Sequence, residues 1–226
     1  MSNLKITGII GLIGAIICGT GEFLLHFDPQ ARFTGGYDFM ADISDSRLTA
    51  GHFLAVFGGT LYFVGVWHIA EMLRPAGEKL SRVLFLVGSF GFLYGAMWMS
   101  SRAMIGSIAH HPELVEGTDL VKLYVLRLET LLQVIRITTL VISIIFIKMV
   151  ITGKSRYPKW MAVTSPIVLL LMNFVIYLLM PEVGKYMMPI ALNVGFSVFF
   201  LLSLTFGDTN ESGVVTPTKR QAAPTA

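Results

Sequence analysis

Long apolar runs recur along the chain, and short polar segments separate them. A run of about 20 apolar residues is long enough to cross the hydrocarbon layer of a bilayer as an α-helix. A helix satisfies its own backbone hydrogen bonds in that layer, whereas a membrane barrel would need alternating strands that the sequence does not contain. The pattern therefore predicts an all-α membrane protein, a single bundle of six transmembrane helices over residues 5–27, 47–73, 82–108, 123–150, 158–180 and 187–206.

Composition indicates the same class of protein. Of the 226 residues, 54% are hydrophobic and 14% are charged, whereas soluble domains are about 25% charged. This small polar fraction could not cover a water-soluble globule, so we expect one transmembrane domain over residues 1–206. Residues 207–226 are mostly polar or small and include proline, which predicts a disordered tail.

The charges between the spans predict the orientation. The connections after the second and fourth spans are basic, with Arg74, Lys79, Arg82, Lys148, Lys154, Arg156 and Lys159. The connections after the first and third spans are acidic, with Asp28, Asp38, Asp42, Asp45, Glu113, Glu116 and Asp119. Because basic connections stay in the cytoplasm, both termini are predicted to be cytoplasmic. The expected location is the cell membrane, as a multi-pass protein of the bacterial inner membrane, with the lipid bilayer as its partner.

Small residues follow one side of the first and third predicted helices. They are spaced by three or four residues at Gly11, Ala15 and Gly19 and at Gly88, Gly91 and Gly95, and Gly106 follows on the same side of the third helix. Such stripes let membrane helices approach closely. We therefore expect Gly95→Leu to push the third helix away from a neighbour.

Polar side chains inside the spans are the candidate functional residues, because a charge in the hydrocarbon layer is costly unless it is paired or hydrated. Most of them lie on the order of 8–15 Å below the outer surface, at a rise of about 1.5 Å per residue. His68, next to Trp67, is instead expected at the inner interface. The candidates are Glu22, His26, His52, Arg102, Arg127, Glu129, Gln133, Arg136, Asn173 and Asn193.

Three interpretations of these residues stay open. In the first, they line an outward-facing polar pocket whose three arginines outnumber its two glutamates, which favours binding or transport of a small anionic or zwitterionic ligand. In the second, Glu22–Arg102 and Glu129–Arg136 are buried ion pairs that fix the order of the helices. The protein would then be a non-catalytic helical scaffold that acts through partners or through contacts between its own copies.

The third interpretation is a membrane-embedded metal-dependent hydrolase. Glu22, His26 and His52 supply a carboxylate and two imidazoles near the outer ends of two consecutive helices, and three protein ligands plus water would form a hydrolytic zinc centre. No His-Glu-x-x-His segment is present, so the spacing is weakly specific. No other cofactor is expected, because the sequence has no phosphate-binding or dinucleotide-binding fingerprint. Cys18 stands alone, and no basic run predicts nucleic-acid binding.

One segment resembles a known family. The stretch ISDSRLTAGHFLAVFGGTLYFVGVWHIAEMLRPAG, residues 43–77, is similar to a family of uncharacterised bacterial membrane proteins of about this length. In that family an acidic residue closes the first helix, a Ser-x-x-Arg-Leu segment opens the second, and a Gly-x-Trp-His end precedes a Pro-Ala-Gly turn. The matching positions are Glu22, Ser44, Arg47, Leu48, Gly65, Trp67 and His68. The resemblance implies six helices and assigns no activity.

Overall fold

The computed structural model describes residues 2–34 and 37–209, and every regular element in these ranges is helical. The all-α prediction is therefore confirmed for the described part of the chain. Residues 210–226, most of the predicted tail, lie outside it. The α-helices are α1 (Asn3–His26), α2 (Asp45–Leu73), α3 (Glu78–Ala109), α4 (Leu120–Ile151), α5 (Pro166–Leu179), α6 (Pro181–Met187) and α7 (Ala191–Phe206).

Five helical segments of the described residues are long and apolar enough to cross a membrane. Four of them correspond to the first four predicted spans, and the fifth runs from Pro181 to Phe206 through α6 and α7. The remaining apolar helix, α5, has 14 residues and is about 21 Å long. It is therefore shorter than the hydrocarbon layer of about 30 Å.

The predicted continuous helix over 158–180 is wrong. Residues Lys159–Thr164 form a 3-10 helix, and α5 begins only at Pro166. Ser165 between them is extended, with φ −59° and ψ 152°, because the proline ring blocks the helical conformation of the preceding residue. The proline itself suits the first helical position, where no intrahelical N–H bond is required.

The boundary of the last predicted span is also wrong. The segment expected to connect the last two spans is helix α6, and a 3-10 turn over Met188–Ile190 joins it to α7. Pro189 lies within this turn and interrupts the regular hydrogen bonding between the two helices. As a result the last span is a broken helix.

Glycines bring α1 and α2 into direct backbone contact. A Cβ atom added at Gly21 would lie 2.2 Å from the backbone nitrogen of Ala55, and one at Gly58 would lie 2.3 Å from that of Cys18. Close backbone approach of this kind allows extensive van der Waals contact, which is a main source of attraction between helices in lipid. The packing predicted for Gly11 and Gly19 is also present, since an added Cβ would lie 2.7 Å from the Phe200 ring and 3.0 Å from Cβ of Asn193, respectively.

On α3 the glycines divide into two groups. Gly88 packs on Val66 of α2, and Gly91 packs on Thr138 of α4. A Cβ added at Gly95 would meet no atom within 4 Å. The expectation that Gly95 packs against a neighbouring helix is therefore wrong, because this residue faces the cavity described below.

The start of the first helix and the end of the last helix lie together at one end of the bundle. The hydroxyl of Ser2 donates to the carbonyl of Thr209 at 2.5 Å. The N–H of Arg156 donates to the carbonyl of Met72, and the N–H of Asp208 donates to that of Arg156. The ends of α2, α4 and α7 thus meet at what we call the basic end, since the predicted basic connections lie there.

The opposite end, which we call the acidic end, is covered by the connection between α1 and α2. Its described residues form two 3-10 helices, Arg32–Thr34 and Asp38–Asp42. Phe39 and Met40 are buried there and the second of these helices packs against α3. The described residues of this connection therefore cover part of the bundle at the acidic end.

Candidate functional site

Four helices contribute one side chain each to a buried polar network. The hydroxyl of Tyr62 on α2 donates to Oδ1 of Asn193 on α7 at 2.6 Å. The Asn193 amide donates in turn to Oε2 of Glu22 on α1 at 2.6 Å. Nη1 of Arg102 on α3 donates to the other oxygen, Oε1 of Glu22, at 3.4 Å. The network therefore connects the first three helices to the last one.

The charged members of this network are removed from solvent. The Arg102 residue is 0% exposed and Glu22 is 7% exposed. The guanidinium carbon of Arg102 also lies 4.3 Å from the centre of the Trp98 ring, in a cation–π contact. Removing one partner of such a buried pair leaves an uncompensated charge, which typically costs about 3–5 kcal/mol.

A cavity of about 560 Å³ adjoins this network. Most of its wall is apolar, with side chains such as Phe92, Leu132, Phe174 and Phe196. It extends from Phe33, in the connection at the acidic end, down to Gly88 and Ile142 deeper in the bundle. The polar residues on its wall are Glu22, His26, Tyr62, Arg136, Thr138, Thr139 and Asn193.

The structure brings about half of the predicted candidates to this cavity. Glu22, His26, Arg136 and Asn193 line it, and Arg102 lies directly behind Glu22. The predicted Glu22–Arg102 pair is present. In contrast, no ion pair joins Glu129 to Arg136 among the described residues, and Oε1 of Glu129 accepts a hydrogen bond from the Tyr37 hydroxyl at 3.0 Å.

The other candidates lie elsewhere. Arg127 is exposed on α4, over the ring of Tyr124. Gln133 is also exposed. The side-chain amide of Asn173 donates to the backbone carbonyls of Leu169 and Ala191, so it joins α5 to the start of α7. With Arg127 and Glu129 outside the cavity, the three arginines and two glutamates expected at one site are reduced to Arg136 and the Glu22–Arg102 pair.

Residues 1–206 match DUF6796, a family of unknown function. The chain belongs to DUF6796. No curated protein and no solved structure matches it. The expected membership in an uncharacterised family is confirmed, and in this DUF6796 member the function has to be argued from the geometry of the site.

The three residues of the predicted zinc centre have separate surroundings in this DUF6796 member. Glu22 belongs to the buried network, and the ring of His26 packs between Phe33 and Phe39. His52 lines a different cleft, of about 370 Å³, between α2 and α3. Among residues 2–34 and 37–209, no group of three or more His, Cys, Asp or Glu side chains is placed to hold a metal ion.

A second buried polar cluster lies at the basic end. His68 is fully buried, with Nε2 2.8 Å from the Ser203 hydroxyl and Nδ1 3.3 Å from that of Thr7. The Ser203 hydroxyl donates to the oxygen of Tyr157 at 3.3 Å. His68 is therefore enclosed by the bundle and is not the exposed interfacial residue that its place next to Trp67 predicts. Its imidazole instead connects α1, α2 and α7.

Tyr62 and Trp98 belong to the site, although the pattern of the sequence does not indicate them. Each has a large apolar ring that suits a lipid-embedded helix or an interface, so composition alone does not distinguish it. The signal that could have identified Tyr62 is its phenol in the middle of a span, since a buried hydroxyl needs a hydrogen-bond partner.

Proposed function

We propose that the protein crosses the bacterial inner membrane six times with both termini in the cytoplasm, and that it binds or transports a small amphipathic ligand with an anionic or zwitterionic group. The first part is supported by the contact between Ser2 and Thr209, because an even number of crossings returns the chain to its starting side. The separation of basic from acidic connections supports the orientation. In this topology α5, with its preceding 3-10 helix, is the fifth crossing.

The observation that carries the second part is the chemistry of the 560 Å³ cavity wall. Binding sites for small molecules are concave and mostly apolar, with a few polar groups that fix orientation. Here the apolar rings of Phe92, Phe174 and Phe196 suit a hydrocarbon chain, and the polar groups suit a headgroup. An amphipathic molecule matches both parts of the wall.

The charges on the wall favour a negative group on the ligand. Glu22 faces Arg102, which offsets its charge. Arg136 lines the cavity and is exposed, and it makes no hydrogen bond or ion pair with the described residues. An anion or the acidic part of a zwitterion would compensate this guanidinium, and arginine is well suited to carboxylates and phosphates. Such binding requires no metal or cofactor.

Trp98 lines the cavity and provides the test. A variant with Trp67→Phe and Trp160→Phe keeps Trp98 as its one tryptophan, since the chain has three. In a non-ionic detergent, 11-bromoundecanoate should quench Trp98 with a saturable dependence on concentration, and undecanoate should compete. A brominated alkyl trimethylammonium of equal length should quench much less.

Arg136→Gln should weaken this quenching by about tenfold or more, the worth of one charge-assisted hydrogen bond. Arg127→Gln is the matched control, because it removes an exposed arginine from the same helix and should leave the affinity unchanged. Linear, non-saturable quenching that is equal for the anion and the cation would contradict the proposed binding function.

A further inference from the structure

The hydrogen bonding of Arg102 is incomplete although its side chain is fully buried. An arginine side chain has five N–H donors, and among the described residues Arg102 uses one of its nitrogens, in the 3.4 Å contact with Glu22. Its Nε and Nη2 atoms are buried and make no hydrogen bond with these residues. Neither does Nε1 of Trp98, whose ring stacks on the guanidinium. Buried donors without acceptors are costly, so acceptors are to be expected here.

The two unpaired nitrogens of Arg102 form one edge of its planar guanidinium. Nε–H and one N–H of Nη2 point in the same direction from that edge, which is the fork that binds two oxygens of a carboxylate or phosphate in parallel. Glu22 contacts Nη1, on the other side of the group. The fork edge therefore remains for a second oxyanion.

The neighbouring carboxylates of the protein are engaged elsewhere. Oε2 of Glu22 accepts a 2.6 Å hydrogen bond from Asn193, which is much shorter than the bond from Arg102. Glu129 accepts its hydrogen bond from Tyr37. Neither side chain occupies the fork edge of Arg102 in the structure.

The cavity gives a route to Arg102. Glu22 and Trp98, the two side chains that contact its guanidinium, both line the cavity wall. A ligand in the cavity is thus separated from Arg102 by the carboxylate of one residue and the ring of the other. Access of a ligand to Arg102 therefore requires the Trp98 ring to move aside.

We propose that Arg102 anchors the ligand by binding its oxyanion, a carboxylate or a phosphate, in a bidentate manner through Nε and Nη2. This inference rests on the proposed function and names the group on the ligand that the site recognises. Arg136, on the cavity wall, attracts the anion, and Arg102 fixes its orientation. Trp98 Nε1 provides a further donor beside the bound oxyanion.

Arg102→Lys tests the anchoring role, because lysine keeps the positive charge and loses the planar fork. The test uses the Trp98-only protein with two probes: 11-bromoundecanoate in detergent, and phosphatidic acid with brominated chains in a nanodisc. We expect the affinity for the probe that binds the parent protein to fall by about tenfold or more. Arg127→Lys, the same substitution outside the cavity, should leave it unchanged. The probe that binds distinguishes a free carboxylate amphiphile from a lipid phosphate.

A second variant covers the case in which Arg102→Lys does not fold. The combination of Glu22→Gln and Arg102→Met removes both charges, so it leaves no unpaired ion in the bundle. It should still bind 11-bromoundecanol, which needs the apolar wall alone, and should lose binding of 11-bromoundecanoate. Equal affinity of the parent and the Arg102 variants for the carboxylate would overturn the anchoring role and leave the cavity as a binding site. Failure of the parent protein to bind either anionic probe would overturn the proposed function itself.

Discussion

The side-chain amide of Asn193 donates a 2.6 Å hydrogen bond to Glu22, and this bond joins the last helix of the bundle to the first. The same carboxylate accepts the longer 3.4 Å bond from Arg102. Glu22 thus lies between a neutral donor and a buried cation. Glu22 belongs both to the ion pair and to the cavity wall, so the two interpretations of the sequence, a structural ion pair and a ligand pocket, apply to the same residue.

A double-mutant cycle on Glu22 and Arg102 measures their coupling. Either Glu22→Gln or Arg102→Met leaves one buried charge without its partner, and we expect each to lower the free energy of unfolding by about 3–5 kcal/mol. The double variant should recover most of this loss, which gives a large coupling energy in detergent unfolding experiments. Two independent, additive losses would show that water solvates each charge and that the pair is not coupled.

Cysteine labelling tests the proposed topology. In a Cys18→Ser background, Lys79→Cys and Lys154→Cys lie in exposed positions of the basic connections, and we expect them to react with a membrane-impermeant maleimide from the cytoplasmic side. Asp42→Cys and Glu116→Cys should react from the opposite side. Labelling of Lys79→Cys and Glu116→Cys from the same side would refute the six-span arrangement.

Two glycines should respond in opposite ways to a larger side chain. Gly58→Ala places a methyl group against the backbone of α1, and we expect a loss of about 1–3 kcal/mol in the free energy of unfolding through overpacking. Gly95→Leu extends a side chain into the cavity, where an added Cβ meets no atom within 4 Å. It should preserve the melting temperature and abolish Trp98 quenching by 11-bromoundecanoate. A large drop in melting temperature for Gly95→Leu would place this glycine in a packed contact.

The acidic end should lose stability at low pH. Three hydrogen bonds from Arg32 to the carboxylate of Asp28 hold the pKa of Asp28 below its ordinary value of 3.8. A lowered pKa in the folded state contributes stability that is fully present above the ordinary pKa and is lost as the pH falls through the folded value. Asp28→Asn should therefore lower the melting temperature at pH 7, and this difference should shrink once the pH falls below 3.8. Asp38→Asn is an exposed control, and a difference that persists unchanged in strong acid would contradict the account.

Much of the bundle follows from the sequence because its helices are specified by long apolar runs. Depth along each predicted helix also placed Glu22 and Arg102 at one level, and the two residues are in contact. A charged side chain within the lipid layer is costly unless it is paired or hydrated, so an ion pair between helices could be predicted for opposite charges at the same depth.

Other features depend on contacts that hydropathy does not record. The break at Ser165 and Pro166 lies in an apolar stretch, so a hydropathy average extends the helix through it. Glu129 accepts a hydrogen bond from Tyr37, which lies in a connecting segment. Helical spacing predicts neighbours within a helix and cannot predict such a partner. The cavity itself is lined by residues of α1, α2, α3, α4, α5 and α7, so it is a property of tertiary packing.

Anomalous diffraction from crystals grown with 11-bromoundecanoate is the most direct test of the binding site. We expect one ordered bromine peak within the cavity, among the apolar side chains of Phe92, Leu132 and Phe196. The carboxylate should lie against the Nε and Nη2 edge of Arg102 at about 2.7–2.9 Å, the distance of a charge-assisted hydrogen bond. Bromine peaks confined to the lipid-facing surface, with the cavity free of the probe, would contradict the central claim that this cavity binds an amphipathic oxyanion.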